Sequence, residues 1–90
     1  MARIRLKVHG LVQGVGFRYH TCQAALAIGV TGYVKNRPDR TVEIVADGSP
    51  NQLQQLIAWA EHGPPTASVE RVEREELLAV NSFDTFTVEF

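Results

Sequence analysis

The chain has one cysteine, Cys22, so no disulfide can close within it, and a reducing compartment suits it. It has no long apolar run. Met1-Ala2-Arg3-Ile4-Arg5 leads into a mixed segment, so no signal peptide or membrane span is expected, and a cytoplasmic location is the default. It has no excess of charge of one sign. Nine Lys and Arg against ten Asp and Glu leave a net charge of −1, which gives no drive toward nucleic acid or anionic membranes. Repeats, low-complexity tracts and linkers are missing, as is any spacing of Cys, His and carboxylates suited to a metal. What is present is a chain of 90 residues, 44% hydrophobic and 21% charged, which is the balance of a soluble globular protein. Residues 1–90 are expected to form a single domain with one modest core.

The most informative stretch is Gly10-Leu11-Val12-Gln13-Gly14-Val15-Gly16-Phe17-Arg18. Before it, Ile4, Leu6 and Val8 alternate with Arg3, Arg5, Lys7 and His9, so residues 3–9 read as a strand with one buried and one wet face. After it, residues 19–28 read as a helix ending at Gly29. Closely spaced glycines let a loop bend sharply and turn several N–H groups toward one point. A helix N-terminus adds free N–H groups and a partial positive charge. Arg18 supplies a permanent cation whose forked donors match phosphate. A cation at a helix start opposes the helix dipole, so its placement points to an anion nearby. Together these features describe an oxyanion cradle suited to phosphate. It is neither of two common glycine loops. A dinucleotide fingerprint would need glycine where Tyr19 stands, and the chain has no Gly-Lys-Ser/Thr triplet.

The remaining pattern places the cradle in a fold. Cys22, Ala25, Leu26 and Gly29 form a stripe suited to packing on a sheet. Residues 30–36 and 41–47 read as an antiparallel hairpin turned by Arg37-Pro38-Asp39-Arg40. Ser49, Pro50 and Gln52 give a capping box with proline at the first helical position. Leu53, Leu56, Ile57 and Ala60 form the core stripe of this second helix, which Gly63-Pro64-Pro65 stops. Residues 67–75 read as a strand with a bulge. Phe86, Val88 and Phe90 mark a final strand. This βαββαβ order predicts an α+β ferredoxin-like sandwich, an antiparallel sheet with two helices on one face.

A second motif, Gly32-Tyr33-Val34-Lys35-Asn36, follows the first helix. The two motifs together resemble the acylphosphatase family, small enzymes that hydrolyse acyl phosphates. Gly10 to Arg18 match the family's first signature throughout. Gly32 to Asn36, then Thr41 to Gly48, match the second except at Arg40, where glycine is usual. The resemblance runs over nearly the whole chain and implies the same sandwich fold. It implies an acylphosphate phosphohydrolase, needing no cofactor, that releases carboxylate and inorganic phosphate from small acyl phosphates. Phosphate would then be both product and inhibitor. Arg18 and Asn36 are the family's two catalytic residues, the arginine for phosphate and the asparagine for the attacking water.

Those roles agree with what the reaction needs. An acyl phosphate is a mixed anhydride whose leaving group is a stable carboxylate, so little help is needed at the leaving oxygen. The enzyme must hold the phosphoryl oxygens, offset their charge and place a water in line with phosphorus. Val12, Gln13, Gly14, Val15, Gly16 and Phe17 can offer backbone N–H groups, and Arg18 a charge and two directed bonds. The Asn36 amide can hold a water without taking its proton. Read from the residue alone, Asn36 is favoured as a turn opener, and only the match to the family reverses that reading. Gln13 is expected to contribute backbone rather than side chain. Lys35 is expected on the opposite face of its strand. Cys22 reads as packing, while His9 and His20 flank the loop and read as surface residues. Trp59, off the main stripe, is expected to cover the helix edge.

Three other readings share some of these features. An RNA-recognition domain has the same element order, but Ile4 to Val8 and Val42 to Ala46 carry no stacking aromatic. An anion sensor would keep the cradle but has no evident need for Asn36. A carbamoyl phosphate domain of hydrogenase maturation would head a much longer chain, so a free-standing enzyme is expected, as a monomer without nucleic-acid or membrane partners. At Arg40, positive φ would cost about 1 kcal/mol, and a shifted turn there would move Asn36.

Overall fold

Seven elements follow the expected order in the structure, a computed structural model that describes residues 1–90. Strand β1 (Ala2–Leu11) alternates as its sequence predicts: Ile4, Leu6 and Val8 are buried, while Arg5 on the other face is exposed. Strands β2 (Thr31–Asn36) and β3 (Val42–Gly48) form the antiparallel hairpin. Helix α2 (Pro50–His62) carries the complete capping box. Ser49 accepts from the Gln52 N–H at 3.2 Å, and Gln52 accepts from the Ser49 N–H at 2.9 Å. Its Leu53, Leu56, Ile57 and Ala60 are all buried.

Helix α1 (Phe17–Ile28) begins two residues before the expected start. Its buried stripe is Phe17, Thr21 and Ala25 rather than Cys22, Ala25, Leu26 and Gly29. Leu26 is 54% exposed. Phe17, Thr21 and Ala25 recur at intervals of four, so the inward face runs along them and takes in a threonine that reads as polar in the sequence. Thr21 satisfies its hydroxyl within the helix by donating to the Phe17 carbonyl at 2.8 Å, so it is buried without an unmet polar group. Gly29 caps the C-terminus in the left-handed region and donates its N–H to the Ala25 carbonyl at 2.9 Å.

The sheet order is β4-β1-β3-β2-β5, with β4 at Ser68–Leu77 and β5 at Phe86–Glu89. The bulge expected in β4 is present: His9 pairs with Arg71 and Gly10 with Val69, leaving Glu70 as the extra residue. The sheet is mixed rather than wholly antiparallel, because β5 runs parallel to β2. The segment 78–85 carries the chain from the β4 edge to the opposite edge, which sets that direction. Alternation in Phe86 to Phe90 reveals a strand but not its direction. The ferredoxin-like sandwich holds, with both helices packed on the face formed by Ile4, Leu6, Val8, Val34, Ile44 and Phe86.

Strand β3 lies between β1 and β2 and runs antiparallel to both. The latter two therefore share a direction, and their C-terminal ends lie at one end of the sheet. Val8, Val42 and Asn36 stand in one cross-strand row, and Val42 and Val8 are fully buried. Paired residues share a face, so Asn36 lies on the helix side. Lys35 lies on the other face, as expected, with Nζ 4.0 Å from Glu43 Oε1.

Candidate active site

The loop between β1 and α1 leaves the same end of the sheet as Asn36. Gly14 has φ 76° and Gly16 φ 78°, backbone angles that a side chain would strain. Gly16 is also the N-cap of α1, without a side-chain cap. The first helical bond is the His20 N–H to the Gly16 carbonyl, at 3.1 Å. The N–H groups from Gln13 to Tyr19 donate to no backbone carbonyl, so the loop and the first turn present an unbroken run of free donors. Val12 and Phe17 are buried and anchor the two ends of the loop. The Phe17 ring packs on Trp59 of α2, with centroids 5.5 Å apart, so that tryptophan does cover the helix edge. The Val15 carbonyl accepts from the Thr66 hydroxyl at 2.7 Å, which holds the middle of the loop.

Arg18 occupies the second position of α1. Its Nη1 donates to the Glu89 carbonyl at 3.1 Å, and its guanidinium lies over the Phe90 ring at 4.7 Å. No carboxylate pairs with it, in contrast to Arg3, which Asp47 holds at 2.6 Å. A cation at a helix N-terminus with no counter-charge leaves a local positive potential open to an anion.

Asn36 ends β2, and its Oδ1 is buried without a hydrogen-bond partner. A buried acceptor of this kind carries a desolvation penalty of about 1–3 kcal/mol until something donates to it. Asn36, Arg18, Gly14 and Gly16 line one cleft of about 300 Å³. The structure thus brings together the cradle and the two side chains singled out in the sequence.

Gln13 departs from expectation. Its side chain does more than accompany the backbone: Nε2 donates to the Arg37 carbonyl at 2.8 Å and to the Thr41 carbonyl at 2.9 Å. It ties the loop to the hairpin that carries Asn36. That hairpin turn closes through the Arg40 N–H to the Arg37 carbonyl at 3.1 Å and the Arg37 N–H to the Thr41 carbonyl at 2.9 Å. Asp39 accepts from the Thr41 hydroxyl at 2.5 Å and the Thr41 N–H at 3.1 Å, and Lys7 Nζ lies 3.0 Å from it. These donors, the Thr41 hydroxyl first and Lys7 next, hold the Asp39 carboxyl far below the usual carboxylate range. Arg40 adopts φ 73°, so the turn does use positive φ and carries its cost. Asn36 is not displaced by it, since its pairing with Val42 is intact.

Both flanking histidines lie outside the cleft. His9 faces the opposite side of the sheet and contacts Glu73, and it lowers the Glu73 carboxyl below its ordinary value. His20 rests its ring beside Gly16 and edge-on to Tyr19. Cys22 is a packing residue whose thiol lies 3.5 Å from the Phe86 carbonyl. The sequence reading missed Tyr19, Val88 and Phe90 as cleft residues. The alternation at 86–90 located a strand, but its place beside β2 is a non-local fact.

Comparison with known proteins finds relatives that match the whole chain. The family model described as Acylphosphatase matches residues 4–88. An acylphosphatase of Pasteurella multocida (strain Pm70) is 51% identical over 90 residues, covering the whole of both chains. Among solved structures, an acylphosphatase from Bacillus subtilis superposes with a TM-score of 0.95 at 36% identity, again over all of both chains. An acylphosphatase from Coxiella burnetii gives 0.92 at 38% identity, covering 98% of this chain and 92% of that one. The chain belongs to the acylphosphatase family, enzymes whose reaction is the hydrolysis of acyl phosphates.

Proposed function

We propose that the free N–H groups of Val12 to Phe17 and the Arg18 guanidinium hold the phosphoryl group, and that Asn36 holds the attacking water. The observation that carries this reading is the buried, unpartnered Asn36 Oδ1 in the same cleft as Arg18. A water donating one hydrogen to Oδ1 has its oxygen lone pair turned away from the amide and toward a phosphorus held by the loop. Attack forms the new P–O bond as the bond to the acyl oxygen breaks, and its electron pair leaves on the carboxylate. The water proton passes to a phosphate or carboxylate oxygen of the substrate, since an amide is no base at neutral pH. Catalysis is then positioning and charge offset.

The products are the carboxylate and inorganic phosphate, which competes for the same cradle. In this reading Arg18 with the free amides supplies the charge offset, so the reaction calls for no metal. The enzyme acts as a monomer, one domain over residues 1–90, in the cytoplasm. No helix is long and apolar enough to cross a membrane. Hydrolysis of benzoyl phosphate in excess chelator, with inorganic phosphate titrated in, tests the reading. Turnover that survives chelation and is competitively inhibited by phosphate supports it. Turnover restored only by added metal would sink it.

A further inference from the structure

One carbonyl of the glycine-rich loop is held from outside the cleft. The Val15 carbonyl accepts from the Thr66 hydroxyl at 2.7 Å, and Thr66 is not among the residues that line the cleft. Gly14 and Gly16, on either side of Val15, do line it. In a trans peptide the N–H points opposite to the C=O. Drawing the Val15 carbonyl toward Thr66 therefore turns the Gly16 N–H the other way.

Little else fixes that peptide. Inverting it reverses the sign of φ at residue 16, and glycine accepts either sign, so its present φ of 78° does not lock it. The Gly16 N–H donates to no backbone carbonyl that would resist the inversion. An inverted peptide would aim the Val15 carbonyl where the Gly16 N–H now points, with a loss of one donor and the gain of an acceptor. Thr66, in contrast, stands on a stiff turn. Pro64 and Pro65 fix their own φ. The Ala67 N–H closes the turn by donating to the Pro64 carbonyl at 3.0 Å. Pro64 is buried, and Ala67 packs against the core.

We infer that Thr66 is a positioning residue, whose hydroxyl selects the orientation of the Val15–Gly16 peptide that aims the Gly16 N–H at the phosphoryl group. This role rests on the reading that the loop and Arg18 hold that group. When only part of the population has the competent orientation, affinity falls by that fraction, so the hydroxyl acts on phosphate binding.

The test titrates inorganic phosphate into the isotope-labelled full chain as wild type, Thr66→Val and Thr66→Ser. Thr66 is exposed, and valine keeps its shape without the hydroxyl, so the core is untouched. One readout is the inhibition constant of phosphate against benzoyl phosphate hydrolysis. The other is the nuclear Overhauser effect between the Val15 α-hydrogen and the Gly16 N–H, whose separation changes when the peptide inverts. Thr66→Val should raise the inhibition constant about three- to tenfold, the range of one lost hydrogen bond. Its Overhauser effect should depart from wild type without phosphate and return to it at saturation. Thr66→Ser should match wild type in both. Either readout left at its wild-type value in Thr66→Val, or a Thr66→Ser that behaves like valine, overturns the role. A merely structural contact would lower the denaturant midpoint and move neither. Failure of the underlying reading looks different: phosphate would then shift no amide of residues 12–17 in the wild type.

Discussion

The side-chain amide of Gln13 lies 2.8 Å from the carbonyl oxygen of Arg37, so the glycine-rich loop is hydrogen-bonded to the turn that follows Asn36. The same amide reaches the Thr41 carbonyl on the far side of that turn. One side chain thereby ties together the two halves of the site, one on the loop between β1 and α1 and the other at the end of β2.

Gln13→Ala removes both bonds. Each carbonyl keeps a backbone partner, so the loss of stability should be near 1 kcal/mol. The loop should loosen against Asn36, and kcat/KM should fall about tenfold. Gln13→Glu has no donor to offer and sets a carboxylate against two carbonyls, so it should be worse on both counts. Denaturant titration and benzoyl phosphate kinetics measure the two effects. Wild-type kcat/KM in Gln13→Ala would show that the link is structural only.

Arg40 holds φ 73° in that turn, and glycine adopts such an angle freely. Arg40→Gly should therefore gain up to about 1 kcal/mol, reduced by the greater freedom of glycine in the unfolded chain. The denaturant midpoint should rise or stay level. A clear fall would mean that the Arg40 side chain contributes more than its backbone strain costs.

Asp39 gives a pH dependence with a definite sign. Its folded carboxyl titrates well below the unfolded value near 4 because Thr41 and Lys7 favour the ionised form. The stabilisation is therefore complete above about pH 5 and is lost as pH falls below about 4 toward the folded value. Asp39→Ala should be less stable than wild type at pH 7, and the gap should narrow progressively in acid. A gap of constant size from pH 7 to pH 3 would contradict the ion pair and hydroxyl bond as its source.

Much of this was legible from residue order, for physical reasons that differ by element. Ile4, Leu6 and Val8 showed their inward face because alternation is a local consequence of strand geometry. Ser49 and Gln52 announced a helix start because the capping box closes within four residues. Arg18 and Asn36 stood out as a pair through the family motifs, and Asn36 alone would have passed for a turn residue. The inward face of α1 was misread because Thr21 looks polar until its hydroxyl is paired inside the helix. The parallel docking of β5, and with it the cleft positions of Val88 and Phe90, depends on where a loop crosses the sheet. The Gln13 side chain was similarly opaque, since its partners lie 24 and 28 residues away.

Comparing Asn36→Ala with Arg18→Ala measures the division of labour within the site most directly. For each variant, kcat on benzoyl phosphate and the inhibition constant of inorganic phosphate would be determined. Asn36→Ala should lose on the order of a hundredfold or more in kcat through the misplaced water. Its inhibition by phosphate should stay within about twofold of wild type, since the cradle is intact. Arg18→Ala should lose turnover and also weaken phosphate inhibition about tenfold or more, having lost a charge-assisted pair of bonds. Equal weakening of phosphate inhibition in the two variants, or wild-type kcat in Asn36→Ala, would contradict the assignment of phosphate to Arg18 and water to Asn36.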